Sequence, residues 1–113
     1  MKRIEKPWGY EIWWAETDRY AGKILFIKAG HALSLQYHNR KAESMYCLEG
    51  EARLTLDGTP VLLTPGEAAD IAVGVRHRLE ALTDTKVVEV STPELDDVVR
   101  LEDRYGREGT SAP

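Results

Sequence analysis

From Tyr10 to Ser91 the chain is a succession of short β-rich runs, interrupted by turn residues every 8–12 positions. That rhythm marks an all-β sandwich or barrel, because neither a helical layer nor an α/β alternation fits between such closely spaced breaks. Strands are expected over residues 10–15, 23–29, 32–38, 44–48, 51–56, 59–63, 68–72, 77–82 and 86–91. The clearest hairpin is RLTLDGTPVLL, in which Asp57-Gly58 suits a tight type I′ turn, since glycine accepts positive φ at little cost. Ala52, Leu54 and Leu56 alternate with Arg53 and Thr55, so one face of that strand is buried. Pro65-Gly66 and Gly74 supply further turns.

The expected fold class is therefore all-β, a small antiparallel barrel or jelly roll over about residues 10–92, followed by a tail over 93–113. The 113 residues suffice for one domain and one modest core. The tail segment PELDDVVRLEDRYGR places Val98, Leu101 and Tyr105 on one helical face, with Asp96 and Asp97 suited to a helix start. A short helix of at most three turns is expected there, ending in a loose GTSAP. Trp8, Trp13 and Trp14, close together near the N-terminus, read as core and interface anchors. They suggest a packed or exchanged N-terminal strand and hence a homodimer.

Several function classes fall away on composition. The longest apolar runs have four residues, at 12–15, 24–27 and 45–48, whereas a membrane-spanning helix needs about 20. The opening MKRIEKPWGY lacks the apolar stretch of a secretory signal, and the single cysteine, Cys47, cannot form an internal disulfide. Cys47 reads as a small buried hydrophobe, and a cytoplasmic location is expected. Of the net charge of -4, most lies in residues 94–113, leaving 13 acids against 12 bases in the rest. A near-neutral body with no lysine or arginine run lacks the basic footprint of a nucleic-acid binder.

In a barrel of this size, chemistry belongs to polar residues that point inward. Gln36 and His38 lie two apart on one expected strand and so share a face. Glu43 follows at the entry to the next strand, and His77 follows Gly74 at another strand start. Taken singly, each histidine fits an ordinary hydrogen-bonded position. Together, two imidazoles, a carboxylate and an amide oxygen at strand ends can converge on one divalent ion of the Zn, Mn, Co, Ni or Fe type.

These residues carry a resemblance. Gly30 to Gly50 reads G-HALSL-Q-Y-H-NRKA-E-SMYCLE-G, which is similar to the first cupin motif, and Gly66 to His77 reads G-EAADI-A-V-G-VR-H, which resembles the second. Ala72 stands where that motif expects proline, and Ala81 where an asparagine is expected. Gln36 occupies the place of the usual first histidine, and the Q-x-H-x4-E core resembles the type II phosphomannose isomerase branch. KPWGYE (6–11), LSLQYH, AESMYCLEGEARLTL, GVRHRLE, VVEVST and the closing DDVVRLEDRYGR follow that branch in order, so the likeness covers residues 6–107.

The resemblance implies a cupin barrel (a double-stranded jelly roll) that interconverts mannose 6-phosphate and fructose 6-phosphate with Gln36, His38, Glu43 and His77 as metal ligands. In many members such a domain follows a mannose-1-phosphate guanylyltransferase domain, for which these 113 residues have no room. The reaction needs a base for a carbon-bound proton and a cationic grip on phosphate. Glu89, flanked by Val87, Val88 and Val90, is a candidate base, with Glu43 as another; Glu80 falls on the face opposite His77. Arg104 and Arg107 are candidates for the phosphate, with Arg78, Arg40 and Lys41 near the ligands as alternatives. Two other readings stay open: a non-catalytic metal- and sugar-binding cupin module, and a non-haem iron oxygenase, since two histidines and a carboxylate also make a facial triad.

Overall fold

Tight turns organise the chain, and the Asp57-Gly58 hairpin shows how. In a computed structural model that describes residues 1–110, Asp57 has φ 46° and Gly58 φ 83°. Both central residues thus have the positive φ of a type I′ turn, and Leu56 pairs with Thr59 directly across it. The strands are β1 (Lys2–Lys6), β2 (Gly9–Glu16), β3 (Ala21–Ile27), β4 (Leu35–Tyr37), β5 (Glu43–Glu49) and β6 (Ala52–Leu56). They continue as β7 (Thr59–Leu63), β8 (Ala68–Ile71), β9 (His77–Ala81), β10 (Thr85–Ser91) and β11 (Val99–Glu102).

These strands build two antiparallel sheets, one of six strands in the order β1-β2-β3-β10-β5-β8, the other of five in the order β11-β4-β9-β6-β7. The sheets do not join into a closed barrel; the arrangement is the double-sheet jelly roll of cupins. Leu25, Met45 and Val87 from the six-stranded sheet meet Leu54, Leu63 and Leu79 from the other, and Trp8 completes the core at 1% exposure. Trp13 is buried beside it, whereas Trp14 is 44% exposed on the outer face, so the three tryptophans do not act as one group. The N-terminal strand β1 pairs with β2 of its own chain.

Sheet pairing extends beyond residues 10–92 at both ends, through β1 and β11. The tail corrects the expected helix: among the described residues there is none, and Val99–Glu102 is a strand paired with β4. An isolated helix of three turns is marginal, while the open edge of β4 offers a row of backbone partners. The expected strand over 32–38 shortens to β4, with only an isolated bridge from Ala32 to Glu80 before it. Of the expected loose end, Gly109 and Thr110 are held: Gly109 N–H donates to the Arg100 carbonyl, and Arg100 Nη1 donates to Thr110. Residues 111–113 lie outside the described residues.

Asp103 anchors this segment. Its carboxylate accepts from the Arg107 backbone N–H at 2.7 Å and from Arg107 Nε at 2.8 Å. Burial pushes the Asp103 carboxyl up, but the Arg107 bonds outweigh it and hold the group below its ordinary value. A depressed carboxyl stabilises the fold above the ordinary carboxylate range, and that contribution is lost as pH falls through the folded value. Asp103→Asn should therefore cost about 2 kcal/mol at pH 7, with the gap to the native chain narrowing below about pH 4. Urea melts at pH 7 and pH 3 check this; a gap that does not change with pH would contradict it.

Candidate metal centre

Both sheets contribute to one inward-facing cluster. From the five-stranded sheet, His38 follows β4 directly and His77 opens β9, with Gln36 of β4 in register opposite His77. From the six-stranded sheet, Glu43 opens β5 and pairs with Ser91 of β10, two residues along from Glu89 on the same face. His38, Glu43 and His77 are all buried, and their ligand atoms lie within 4.8 Å of one another. His77 Nε2 is 3.0 Å and His38 Nε2 3.5 Å from Glu43 Oε1, and the imidazole centroids are 5.1 Å apart.

The backbone sets the tautomers. His38 Nδ1 donates to the Asp97 carbonyl at 2.6 Å and His77 Nδ1 to the Val75 carbonyl at 2.9 Å. A carbonyl oxygen can only accept, so each Nδ1 carries a proton, and in the neutral form of the ring the Nε2 lone pair is presented to the interior. Both Nε2 atoms are buried without a hydrogen-bond partner. Two lone pairs and a carboxylate pointing at one another in a buried site are mutually repulsive unless a cation lies between them. Two imidazoles and a carboxylate fit a divalent ion of the Zn, Fe, Co, Ni or Mn type. Gln36 lines the same cleft and is the only one of the four expected ligands outside the buried triad.

A charged belt continues from the triad. Lys41 Nζ lies 3.2 Å from Glu43 Oε2 and 3.5 Å from Glu89 Oε1, with all three side chains buried. Burial alone would raise the Glu43 carboxyl, but donation from the imidazoles when their Nε2 atoms are protonated, and the Lys41 charge, hold it well below the carboxylate range. Burial, and after it the Glu43 charge, push Glu89 the other way, up to about 7. Glu89 pairs across the strands with Lys23, whose Nζ is 3.4 Å from Glu11 Oε1 and 4.5 Å from the centre of the Trp13 ring. Trp13 Nε1 donates to the same Glu11 oxygen at 2.7 Å.

The tail closes over this belt. The Asp97 carboxylate accepts the backbone N–H groups of Asn39, Arg40 and Lys41, fixing the loop between His38 and Glu43. Leu95, Val98, Arg100 and Arg107 of the tail also line the cleft.

The structure thus brings together Gln36, His38, Glu43, His77, Glu89, Lys41 and Arg107. It leaves Arg78 and Arg104 elsewhere: Arg78 Nε donates to the Leu33 carbonyl and Nη2 to that of Glu102, while Arg104 bonds Glu80 and the Gly30 carbonyl. Glu80 lies on the outer face, paired with Arg53 and Arg104, as strict alternation from His77 implies. His31 is outside the triad, its Nδ1 2.7 Å from the Tyr105 hydroxyl. Glu11, Lys23 and Arg100 were not singled out from sequence, and Asp97 was read only as a helix start. The signal for Lys23 was present, because Lys23, Leu25 and Ile27 share one strand face and the last two are core residues.

Against known proteins, residues 1–103 match the profile of the family described as mannose-6-phosphate isomerase C-terminal. The chain is 38% identical over 111 residues to mannose-1-phosphate guanylyltransferase ManC of Salmonella typhimurium, covering 94% of this chain and 23% of that protein. It spans less than a quarter of the length of the first curated relatives it matches. Among solved structures, KdgF from Halomonas sp. superposes with a TM-score of 0.77 at 21% identity, covering 85% of this chain and 89% of that one. A cupin-superfamily sugar phosphate isomerase from Silicibacter pomeroyi superposes with a TM-score of 0.72 at 17% identity, covering 80% and 64%. At these identities the two structures speak for the fold. No helix among the described residues is long and apolar enough to cross a membrane.

Proposed function

The chain belongs to the mannose-6-phosphate isomerase C-terminal family, and from that membership together with the site geometry we propose that it is a metal-dependent aldose–ketose isomerase acting on a hexose phosphate of the mannose 6-phosphate/fructose 6-phosphate type. The observation that carries the proposal is the pair of buried Nε2 lone pairs facing Glu43. Beside them stands a second buried carboxyl, Glu89, which shares Lys41 with Glu43. An ion held by His38, Glu43, His77 and Gln36 would supply a Lewis acid for the neighbouring carbonyl and hydroxyl oxygens.

The remaining work falls to the chain. Isomerisation removes the proton on C2 of the aldose, and its electron pair forms the C1–C2 double bond as the C1 carbonyl oxygen gains a proton. The resulting enediol then takes a proton at C1 while O2 loses its hydroxyl proton to become the ketone oxygen, so that a proton passes overall from O2 to O1. Glu89, buried in the same cleft as Glu43, is the group assigned to take and return the carbon-bound proton. Lys41, between the two carboxyls, places a positive charge beside the oxygens where negative charge develops. Leu95 and Val98 of the tail narrow the cleft and limit water.

The direct test is the conversion of mannose 6-phosphate by the purified chain, with and without Mn, Co, Zn or Ni. Turnover that a chelator abolishes supports the isomerase. A metal-loaded protein that binds the sugar without turning it over selects the non-catalytic binding module instead.

Asp97 gives a second test that leaves every ligand in place. Removing its carboxylate in Asp97→Ala frees three backbone N–H groups of the 39–41 loop and loosens the carbonyl that orients His38. Outer-sphere losses of this kind weaken metal binding by about 10–100-fold. Titration of Zn or Co with a competing chelator should show that loss, and unchanged affinity would mean that the His38 ring is oriented without Asp97.

A further inference from the structure

The six-stranded sheet breaks the usual habit of an antiparallel layer, which packs one face on the core and gives the other to water. The five-stranded sheet keeps to it. Behind the core residues Leu54 and Leu79, its outer face carries Arg53 and Thr55 of β6 opposite Glu80 and Arg78 of β9. On the six-stranded sheet the outer face is apolar as well. Residues directly opposite one another share a face, and the middle outer row runs Ile12, Ile24, Val88, Tyr46 and Ala68 across β2, β3, β10, β5 and β8. In the next row Trp14 is exposed, and its indole lies over Gly22, where a Cβ would collide with three ring atoms. Gly22 thus lets the indole lie low on the sheet, beside the exposed Val90 with which Gly22 pairs. Charge lies at the margins of this field: Arg3 of β1 at one edge, Asp70 of β8 at the other, and the Lys86–Glu49 pair at one end.

We propose that this face is the interface of a homodimer, in which a second copy of the chain packs sheet against sheet rather than by exchange of the N-terminal strand. The area fits. The six strands, about 4.8 Å apart and about six residues long, present roughly 600 Å² before side-chain relief is added, on the order of the ~800 Å² per partner of a standard stable interface. Contiguous apolar patches larger than a few hundred Å² mark interaction surfaces. An axis parallel to the strands, between β3 and β10, makes the face self-complementary, because it sets β2 of each copy over β5 of the other. Ile24 then faces Val88 and Ile12 faces Tyr46, while the bulky Trp14 faces the small Ser44. The same axis turns the Arg3 edge of one copy to the Asp70 edge of the other, whereas an axis across the strands would set like edges together. Within the chain Arg3 Nε donates to Glu5 and Ser44 Oγ donates to Asp70, both at 2.7 Å. The charged edges therefore set orientation, and the apolar rows supply the affinity.

Sedimentation of the full chain, which reads mass and is independent of isomerase turnover, should find twice the chain mass at micromolar concentration. Val88→Asp puts a carboxylate at the centre of the face and should weaken self-association roughly hundredfold or more. Trp14→Ser should weaken it about tenfold. Far-UV circular dichroism and the affinity for Zn should stay native in both, because these side chains point away from the core and the metal centre. Should Val88→Asp fail to fold, Trp14→Ser and an exchange of edge charges decide. Arg3→Glu and Asp70→Arg should each weaken the dimer, and an equimolar mixture of the two should restore it, since one copy of each pairs opposite charges at both edges. A mixture no stronger than its components overturns the two-fold arrangement. A dimer untouched by Val88→Asp and Trp14→Ser overturns the interface in favour of another surface. A monomeric native chain overturns it too, and one that binds an added mannose-1-phosphate guanylyltransferase domain through Val88 gives the face to that partner instead.

Discussion

Replacing His38 and His77 together by alanine is expected to abolish stoichiometric metal binding and, with it, any isomerase turnover. Each ring is fixed by a backbone carbonyl, Asp97 for His38 and Val75 for His77, so that its bare Nε2 faces Glu43. Removing both leaves one carboxylate and the Gln36 amide, too few donors to displace the hydration shell of a divalent ion. The affinity loss should exceed the roughly 100-fold upper range seen when only an orienting partner is removed. A second readout is thermal. An ion at about 100 times its dissociation constant stabilises the folded chain by about 2.7 kcal/mol, and that metal-induced rise in melting temperature should vanish in the double variant. His31→Ala is the control, since His31 contacts Tyr105 rather than the triad. Full metal occupancy in the double variant would end the assignment of this centre.

Glu89→Gln carries the other large effect. The substitution keeps size and an oxygen that accepts from Lys41, which lies 3.5 Å from Glu89 Oε1, but it removes the proton-accepting carboxylate. Loss of a positioned general base lowers turnover by about 10²–10⁴-fold. The drop should fall on kcat, with the KM for mannose 6-phosphate and the metal content close to native, because Glu89 is outside the triad. Exchange of the C2 proton with solvent deuterium should fall in parallel. An unchanged kcat moves the base to Glu43; a loss of bound metal would instead make Glu89 part of the metal centre.

Much of this site was legible as local pattern. Period-2 alternation put Gln36 and His38 on one face and Glu80 on the other, and strand starts placed Glu43 and His77 at the rim; the structure agrees in each case. The tail was misread for a physical reason. Val98, Leu101 and Tyr105 have helical spacing, but from Val98 to Leu101 burial alternates, with Val98 and Arg100 buried and Leu101 exposed, which is the period of a strand. The open edge of β4 rewards that alternative, and nothing within residues 93–107 reveals that the edge exists.

The sequence by itself determined the all-β class and the turn at Asp57-Gly58, because both depend on residue type and near-neighbour spacing, while His38, Glu43 and His77 were singled out as a set through the resemblance to the cupin motifs. Tertiary structure alone decided the rest. Which arginines reach the cleft depends on where β11 docks, and that docking turns Arg100 and Arg107 inward while Arg104 pairs with Glu80 outside. The tautomers of His38 and His77 depend on carbonyls 59 and 2 residues away. The proton affinities of Glu43 and Glu89 diverge because one meets two imidazoles and the other meets burial and its neighbour's charge. Charge, dielectric and hydrogen bonding act through space over a few ångströms, so they are set only when distant strands are brought together.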